Sequence, residues 1–129
     1  LALVAQFRGR YPALAAGPWV LGGFSFGTSV AAGLHAGLAA AGDAQLPAAL
    51  ILAGGAVQRF QPADIPAPPH TLLVHGEKDE VVPCSETMDW ARARNLPVVV
   101  IPDASHFFHG KLLILRQLVL DRLAVALVG

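Results

Sequence analysis

The chain has 129 residues, with nine Lys or Arg, nine Asp or Glu, no net charge and a single cysteine. Its length suits one domain, residues 1–129, and the sparse, balanced charges offer no basic surface for nucleic acid or anionic membranes. Hydrophobic side chains make up 54% of the residues and charged ones only 14%, against a charged share of about a quarter in average domains. So many apolar residues in a short chain indicate several fully buried elements, or part of a larger domain.

The single cysteine, Cys84, excludes an internal disulfide and a zinc site of several cysteines, and it fits a reducing compartment. We therefore expect a cytoplasmic protein without metal or cofactor, in which Cys84 is a half-buried thiol before a helix capped by Ser85. Residues 11–42 carry no Asp, Glu, Lys or Arg. Prolines and clustered glycines nevertheless divide them into pieces shorter than the ~20 helical residues that a bilayer requires, so we expect no membrane span.

Four continuous apolar runs predict buried strands, and longer stretches between and around them predict helices. A continuous run, unlike an alternating one, is typical of a parallel strand that is covered on both faces. In chain order we expect a helix over 1–10, a strand over 19–22, a helix over 26–41, a strand over 48–53, an irregular proline-rich loop over 54–69, a strand over 71–75, a helix over 85–95, a strand over 98–101 and a helix over 108–128. This order predicts a three-layer α/β fold with a mostly parallel sheet.

The sequence Gly23-Phe24-Ser25-Phe26-Gly27 joins the first predicted strand to the helix that follows it. A Gly-x-Ser-x-Gly sequence at such a corner is typical of a nucleophilic serine in a tight, strained turn, where Gly23 and Gly27 let the backbones approach. The alternative is a glycine-rich turn in which Ser25 only caps the helix. The glycine spacing fits neither a dinucleotide fingerprint nor a phosphate-binding loop.

A serine hydroxyl is a weak nucleophile, so this hypothesis requires a histidine base and an acid that orients the histidine. In this type of fold the acid and then the histidine follow the carboxyl ends of later strands. The third and fourth predicted strands are followed by acids and histidines in that order: Glu77, Asp79 and Glu80 after the third, and Asp103, His106 and His109 after the fourth.

Three sequences together resemble the small bacterial α/β-hydrolases related to dienelactone hydrolase: Gly-Phe-Ser-Phe-Gly at 23–27, His-Gly-Glu-Lys-Asp-Glu-Val-Val-Pro at 75–83 and Ser-His-Phe-Phe-His-Gly-Lys at 105–111. All 129 residues align in order with the second half of that fold, so the resemblance implies an α/β-hydrolase domain without its N-terminal strands. It also implies Ser25 as nucleophile, Asp79 as acid and His106 as base. Dienelactone hydrolase itself has a cysteine where this chain has Ser25.

The resemblance implies a serine hydrolase that cleaves a small-molecule substrate, a carboxylic ester, thioester or lactone, through an acyl-enzyme. The backbone N–H of Phe26 would be the first oxyanion donor, and the second would come from a loop after an earlier strand outside these residues. The alternative is a non-catalytic binding or scaffold domain with the same fold. Half of the fold would also expose the edge of the first strand, which favours association of the chain, for example as a homodimer.

Several residues near the three assigned positions have other interpretations. Glu77, Glu80 and Asp103 are rival acids or solvated loop charges, and His109 is a rival base that would share a helix face with His106. His75 is expected to close its strand through a hydrogen bond. The interpretation of this region as a metal site has suitable residue types but no recognised ligand spacing. Its ligands would be His75, Glu77, Asp79, His106 and His109.

Overall fold

The computed structural model describes residues 1–128 and places four parallel strands in one sheet. The strands lie side by side in chain order and are β1 (Val20–Phe24), β2 (Ala49–Ala53), β3 (Thr71–Gly76) and β4 (Val99–Ile101). Because all four run the same way, their carboxyl ends meet at one edge of the sheet. The loops that follow the strands are therefore brought together there.

Helices connect and cover the strands. They are α1 (Ala2–Arg10), α2 (Pro12–Ala15), α3 (Phe26–Ala40), α4 (Val57–Phe60), α5 (Cys84–Arg94) and α6 (Leu112–Val128). None of the helices within residues 1–128 has the combination of length and hydropathy required to cross a bilayer.

Both faces of the sheet are covered, and successive side chains of β2 enter different clusters. Leu50 and Leu52 lie in a buried cluster with residues of α3 and α5. Ile51 and Ala53 lie in a second cluster, against which α6 packs. Because the side chains of a strand alternate between faces, a strand that is apolar at every position needs helices on both sides. The predicted three-layer α/β fold is confirmed.

Two predicted helix starts are wrong. The sequence predicts the last helix from residue 108, but α6 begins at Leu112, since Phe108 and Gly110 have φ angles of +56° and +73°, which a right-handed helix does not allow. The helix after β3 begins at Cys84 with Pro83 at its N-cap, so Ser85 lies inside the first turn and does not cap it.

The proline-rich segment 54–69 is more ordered than the sequence predicts. It contains the single turn of α4, and it inserts Val57 and Ile65 into the core. Arg94 of α5 holds its far end by donating hydrogen bonds to the carbonyl oxygens of Ala63 and Ile65. The irregular backbone is therefore fixed against the sheet by side chains that are distant in sequence. The sequence also gives no prediction of the short helix α2.

Strand β1 forms one edge of the sheet and, among residues 1–128, pairs with β2 alone. Next to it, α1 and α2 border a hollow of about 700 Å³, a volume that includes space open to solvent, with a largely apolar lining that includes Leu3, Phe7, Leu14 and Leu21. The edge expected from the sequence is therefore present, and association through it stays a prediction.

Candidate active site

Ser25 stands at the corner between β1 and α3 with φ +54° and ψ −121°, a combination that non-glycine residues rarely adopt. Its neighbours hold the turn from both sides. The N–H of Ser25 donates to the carbonyl oxygen of Ala53 at 3.0 Å, and its carbonyl oxygen accepts from the Thr28 hydroxyl at 2.5 Å. The Thr28 oxygen also accepts from the N–H of Ala56 at 2.8 Å. Strand β2 and the loop after it therefore fix the strained serine.

The hydroxyl of Ser25 makes no capping hydrogen bond to α3. It lies 2.9 Å from Nε2 of His106 instead, so Ser25 occupies the N-cap position of α3 but does not cap the helix through its hydroxyl. The next residue, Phe26, is the first of α3, where backbone N–H groups have no partner within the helix and the helix dipole is positive. An amide in this position favours a nearby anion.

His106 lies in the turn after β4 and is only 2% exposed. Its Nδ1 is 2.7 Å from Oδ2 of Asp79. Because an ionised carboxylate only accepts hydrogen bonds, Nδ1 carries a hydrogen and donates a hydrogen bond to Asp79. In the neutral ring Nε2 is then the acceptor, and the Ser25 hydroxyl donates to it.

The carboxylate of Asp79 is buried, and both of its oxygens are hydrogen-bonded. Oδ1 accepts from the N–H of Val81 at 2.9 Å and from the N–H of Val82 at 2.7 Å. Burial acts to raise the pKa of Asp79, but the hydrogen bonds from His106, Val82 and Val81 outweigh it and hold the pKa below its ordinary value. Asp79 is therefore ionised at neutral pH and suited to stabilise a positively charged imidazole.

The rival acids serve the loops around this site. Glu77 accepts a hydrogen bond from the backbone N–H of Asp103 at 2.9 Å, and Glu80 accepts one from the backbone N–H of His106 at 3.3 Å. The side chain of Asp103 pairs with Lys78 at 2.9 Å on the surface, where both are about two-thirds exposed. All three contacts join the loop after β3 to the loop after β4.

The other candidates lie at or near the site in different settings. His109 is exposed in the turn before α6, so the expectation that it shares a helix face with His106 is wrong. His75 closes its strand as predicted, with Nε2 2.7 Å from the carbonyl oxygen of Val82.

Cys84 is half-buried, and burial raises the pKa of its thiol. Over the described range 1–128, no three His, Cys, Asp or Glu side chains are grouped so as to hold a metal ion.

Four exposed phenylalanine rings lie near the Ser25 corner. Phe24 packs against the His106 ring at 5.1 Å and against Phe107 at 5.8 Å. Phe26 meets Phe60 of α4 edge-on at 4.9 Å. All four are between 41% and 57% exposed, so the polar site lies beside an apolar surface.

A parallel sheet with a serine at a tight strand-to-helix corner, and an acid and a histidine after later strands, defines an α/β-hydrolase-like protein. The search for family models found none that matches the sequence, and the search of curated proteins found no match. Solved structures do match, two of them over nearly the whole chain.

An α/β serine hydrolase without a lid from Xanthomonas campestris superimposes with a TM-score of 0.76 at 28% identity, covering 99% of this chain and 55% of that one. An α/β serine hydrolase homologue from Coxiella burnetii gives 0.70 at 29% identity over 95% of this chain and 55% of its own. A third structure, from Pectobacterium atrosepticum, supports the fold alone, with a TM-score of 0.57 at 21% identity over 80% of this chain and 55% of that chain.

The chain therefore has an α/β-hydrolase fold and is similar to α/β serine hydrolases. It spans about half the length of the solved structures that it matches, 55% in each case.

Proposed function

We propose that Ser25, His106 and Asp79 are the nucleophile, base and acid of a serine hydrolase that cleaves a small carboxylic ester, thioester or lactone. The observation that carries this proposal is two consecutive hydrogen bonds that link the three side chains. Ser25 Oγ lies 2.9 Å from His106 Nε2, and His106 Nδ1 lies 2.7 Å from Asp79 Oδ2. This is the geometry that turns a weakly nucleophilic hydroxyl into an effective one.

In the first half of the proposed reaction, Ser25 Oγ attacks the carbonyl carbon while His106 Nε2 takes the hydroxyl proton. Asp79 stabilises the resulting imidazolium, and the N–H of Phe26 donates to the oxyanion of the tetrahedral intermediate. The acyl C–O or C–S bond then breaks, and the departing alkoxide or thiolate takes its proton from His106; from a lactone, the alcohol that forms stays attached to the acyl group. The acyl group remains as an ester on Ser25.

In the second half, His106 Nε2 takes a proton from a water molecule, and the hydroxide attacks the acyl ester. The N–H of Phe26 again donates a hydrogen bond to the oxyanion of the tetrahedral intermediate that forms. When it collapses, Ser25 Oγ leaves and recovers its proton from His106. The carboxylic acid departs and the site returns to its starting state.

The 129 residues by themselves are proposed to be a weak esterase. The family resemblance assigns the second oxyanion donor to a loop outside these residues, and loss of one donor costs about 10²–10³-fold in turnover. Efficient hydrolysis of a short-chain p-nitrophenyl ester by the purified chain, abolished by Ser25→Ala, would contradict this expectation.

Labelling with a fluorophosphonate tests the proposed function directly, because the reagent phosphonylates an activated serine. We expect one adduct on Ser25, located by peptide mass mapping, and none in Ser25→Ala. Ser85→Ala is the matched control, since Ser85 is an exposed serine of α5 that should neither react nor affect the reaction. A folded protein in which Ser25 fails to react, in this chain and in any longer natural chain that contains it, would favour the non-catalytic alternative.

A further inference from the structure

His75 has no part in the proposed reaction, yet its ring lies against the acid of the site. The side chain is fully buried, and its Nε2 is 3.2 Å from Oδ2 of Asp79. The same carboxylate oxygen accepts the hydrogen bond from His106 Nδ1. Two imidazole rings therefore lie next to one carboxylate oxygen, His75 from strand β3 and His106 from the turn after β4.

The partners of His75 determine which of its nitrogens is protonated. Nε2 lies 2.7 Å from the carbonyl oxygen of Val82, a group that can only accept, so Nε2 carries a hydrogen. On the other side of the ring, Nδ1 lies 2.9 Å from the hydroxyl of Thr87. In a neutral ring Nδ1 is then an acceptor, and Thr87 donates to it.

The same contacts tie the turn between residues 79 and 82 to the sheet. Val82 donates its N–H to Oδ1 of Asp79 and accepts the Nε2–H of His75 through its carbonyl oxygen. Thr87 is itself buried on α5. A rigid strand and a packed helix therefore hold the ring, and the ring holds the turn that presents Asp79.

We propose that His75, kept as the neutral Nε2–H tautomer by Thr87, is a positioning residue that aims Asp79 Oδ2 at His106. This proposal rests on the proposed function, because the alignment matters only if His106 acts as a base. The Nε2–H donates to the carbonyl oxygen of Val82, the N–H of Val82 donates to Asp79 Oδ1, and the ring itself lies 3.2 Å from Asp79 Oδ2. The turn and the ring together hold Asp79 in one orientation, with Oδ2 facing His106 Nδ1.

The first test measures the tautomer and needs no activity. Nitrogen-15 NMR of the full chain, with the His75 signals assigned by their loss in His75→Gln, is expected to show Nε2 protonated and Nδ1 unprotonated. Thr87→Val removes the donor to Nδ1 at nearly constant volume and is expected to shift the Nδ1 signal. Thr87→Ser keeps the hydroxyl and is expected to keep the Nδ1 signal at its position in the parent chain. A His75 protonated on Nδ1, or on both nitrogens, at neutral pH would overturn the proposal.

The second test measures the rate constant for phosphonylation of Ser25. Loss of the hydrogen bond that anchors Val82, and with it the Asp79 turn, is expected to slow labelling about tenfold in His75→Leu. His75→Gln keeps an N–H donor and is expected to recover most of that rate. With an ester substrate, kcat is expected to fall in His75→Leu while KM stays the same, because no contact with substrate is lost.

The outcomes separate the two proposals. Normal labelling of Ser25 in a folded His75→Leu variant overturns the positioning role and leaves the proposed function intact. If His75→Leu does not fold, the comparison of Thr87→Val with Thr87→Ser decides instead, and equal labelling rates in that pair overturn the role. A parent chain in which Ser25 is not labelled at all overturns the proposed function, and the positioning role with it.

Discussion

The backbone of Gly23 lies against the backbone of Gly27, so closely that a Cβ atom on Gly23 would overlap the carbonyl oxygen of Gly27. The relationship is not symmetrical. A Cβ on Gly27 would meet no atom within 4 Å in the described part of the chain. The sequence predicts that both glycines must lack bulk, but the structure requires this of Gly23 alone, because only the Cα of Gly23 faces the other backbone.

Gly23→Ala is therefore expected to damage the serine corner, and Gly27→Ala is expected to leave it intact. A methyl group forced against backbone costs about 1–3 kcal/mol of unfolding free energy and displaces Ser25. Alanine in a helix, by contrast, is neutral or slightly stabilising relative to glycine. Urea unfolding and fluorophosphonate labelling of Ser25 measure both effects. Equal losses in the two variants would contradict the asymmetry.

Asp79→Asn is expected to lower the labelling rate of Ser25 by about 10³–10⁴-fold, because an amide can donate to His106 Nδ1 and favour the wrong tautomer. Glu80→Gln is the matched control, since within residues 1–128 the Glu80 carboxylate accepts a hydrogen bond only from the backbone N–H of His106. Its labelling rate should change by less than about tenfold. A larger loss in Glu80→Gln than in Asp79→Asn would assign the acid to Glu80.

The lowered pKa of Asp79 makes the stability of the protein dependent on pH in the acid range. The unfolded chain takes up a proton on Asp79 near pH 4, before the folded chain does. Its contribution to the unfolding free energy is thus complete above about pH 4 and is lost as the pH falls through the lower folded pKa.

Urea unfolding is measured between pH 6 and the lowest pH at which the chain stays folded. The unfolding free energy is expected to decrease with falling pH along a shallower slope in Asp79→Asn than in the parent. Asp121→Asn, at an exposed position of α6, is the control and should keep the parent slope. Asp43 and Asp103 also have lowered pKa values, through ion pairs at the surface. They are present in both variants and do not affect the comparison. An unchanged slope in Asp79→Asn would contradict the prediction.

The edge of β1 and the hollow beside it are expected to drive association of the chain at high concentration, since an unpaired strand edge and an apolar lining are both exposed. Sedimentation velocity should show concentration-dependent association that decreases in the double variant Leu3→Lys, Leu14→Lys. Leu113→Lys is the control, because Leu113 of α6 is as exposed as Leu3 but lies outside the hollow. A monomeric parent chain, or an equal effect of the control, would contradict this prediction.

The sheet was predictable from the sequence because its signal is local. Each strand is a short, continuous apolar run, and the run at β2 is fully buried in the structure, as two-sided coverage requires. The candidate site was also predictable, because Ser25, Asp79 and His106 each follow a strand and the carboxyl ends of parallel strands meet at one edge. The cytoplasmic location stays a prediction.

Features that depend on contacts between distant parts of the chain were decided only by the tertiary structure. Phe108 looks like the start of a helix, but it is buried to 1% exposure with a left-handed backbone, so the helix begins four residues later. The contacts of Thr28 with Ala56 and of His75 with Thr87 join residues 28 and 12 positions apart, and no short-range pattern indicates them. The sequence by itself determined which segments form the sheet and which residues reach its edge. Only packing determined their orientation, because a hydrogen bond requires its two atoms within about 3 Å of each other, whatever their separation along the chain.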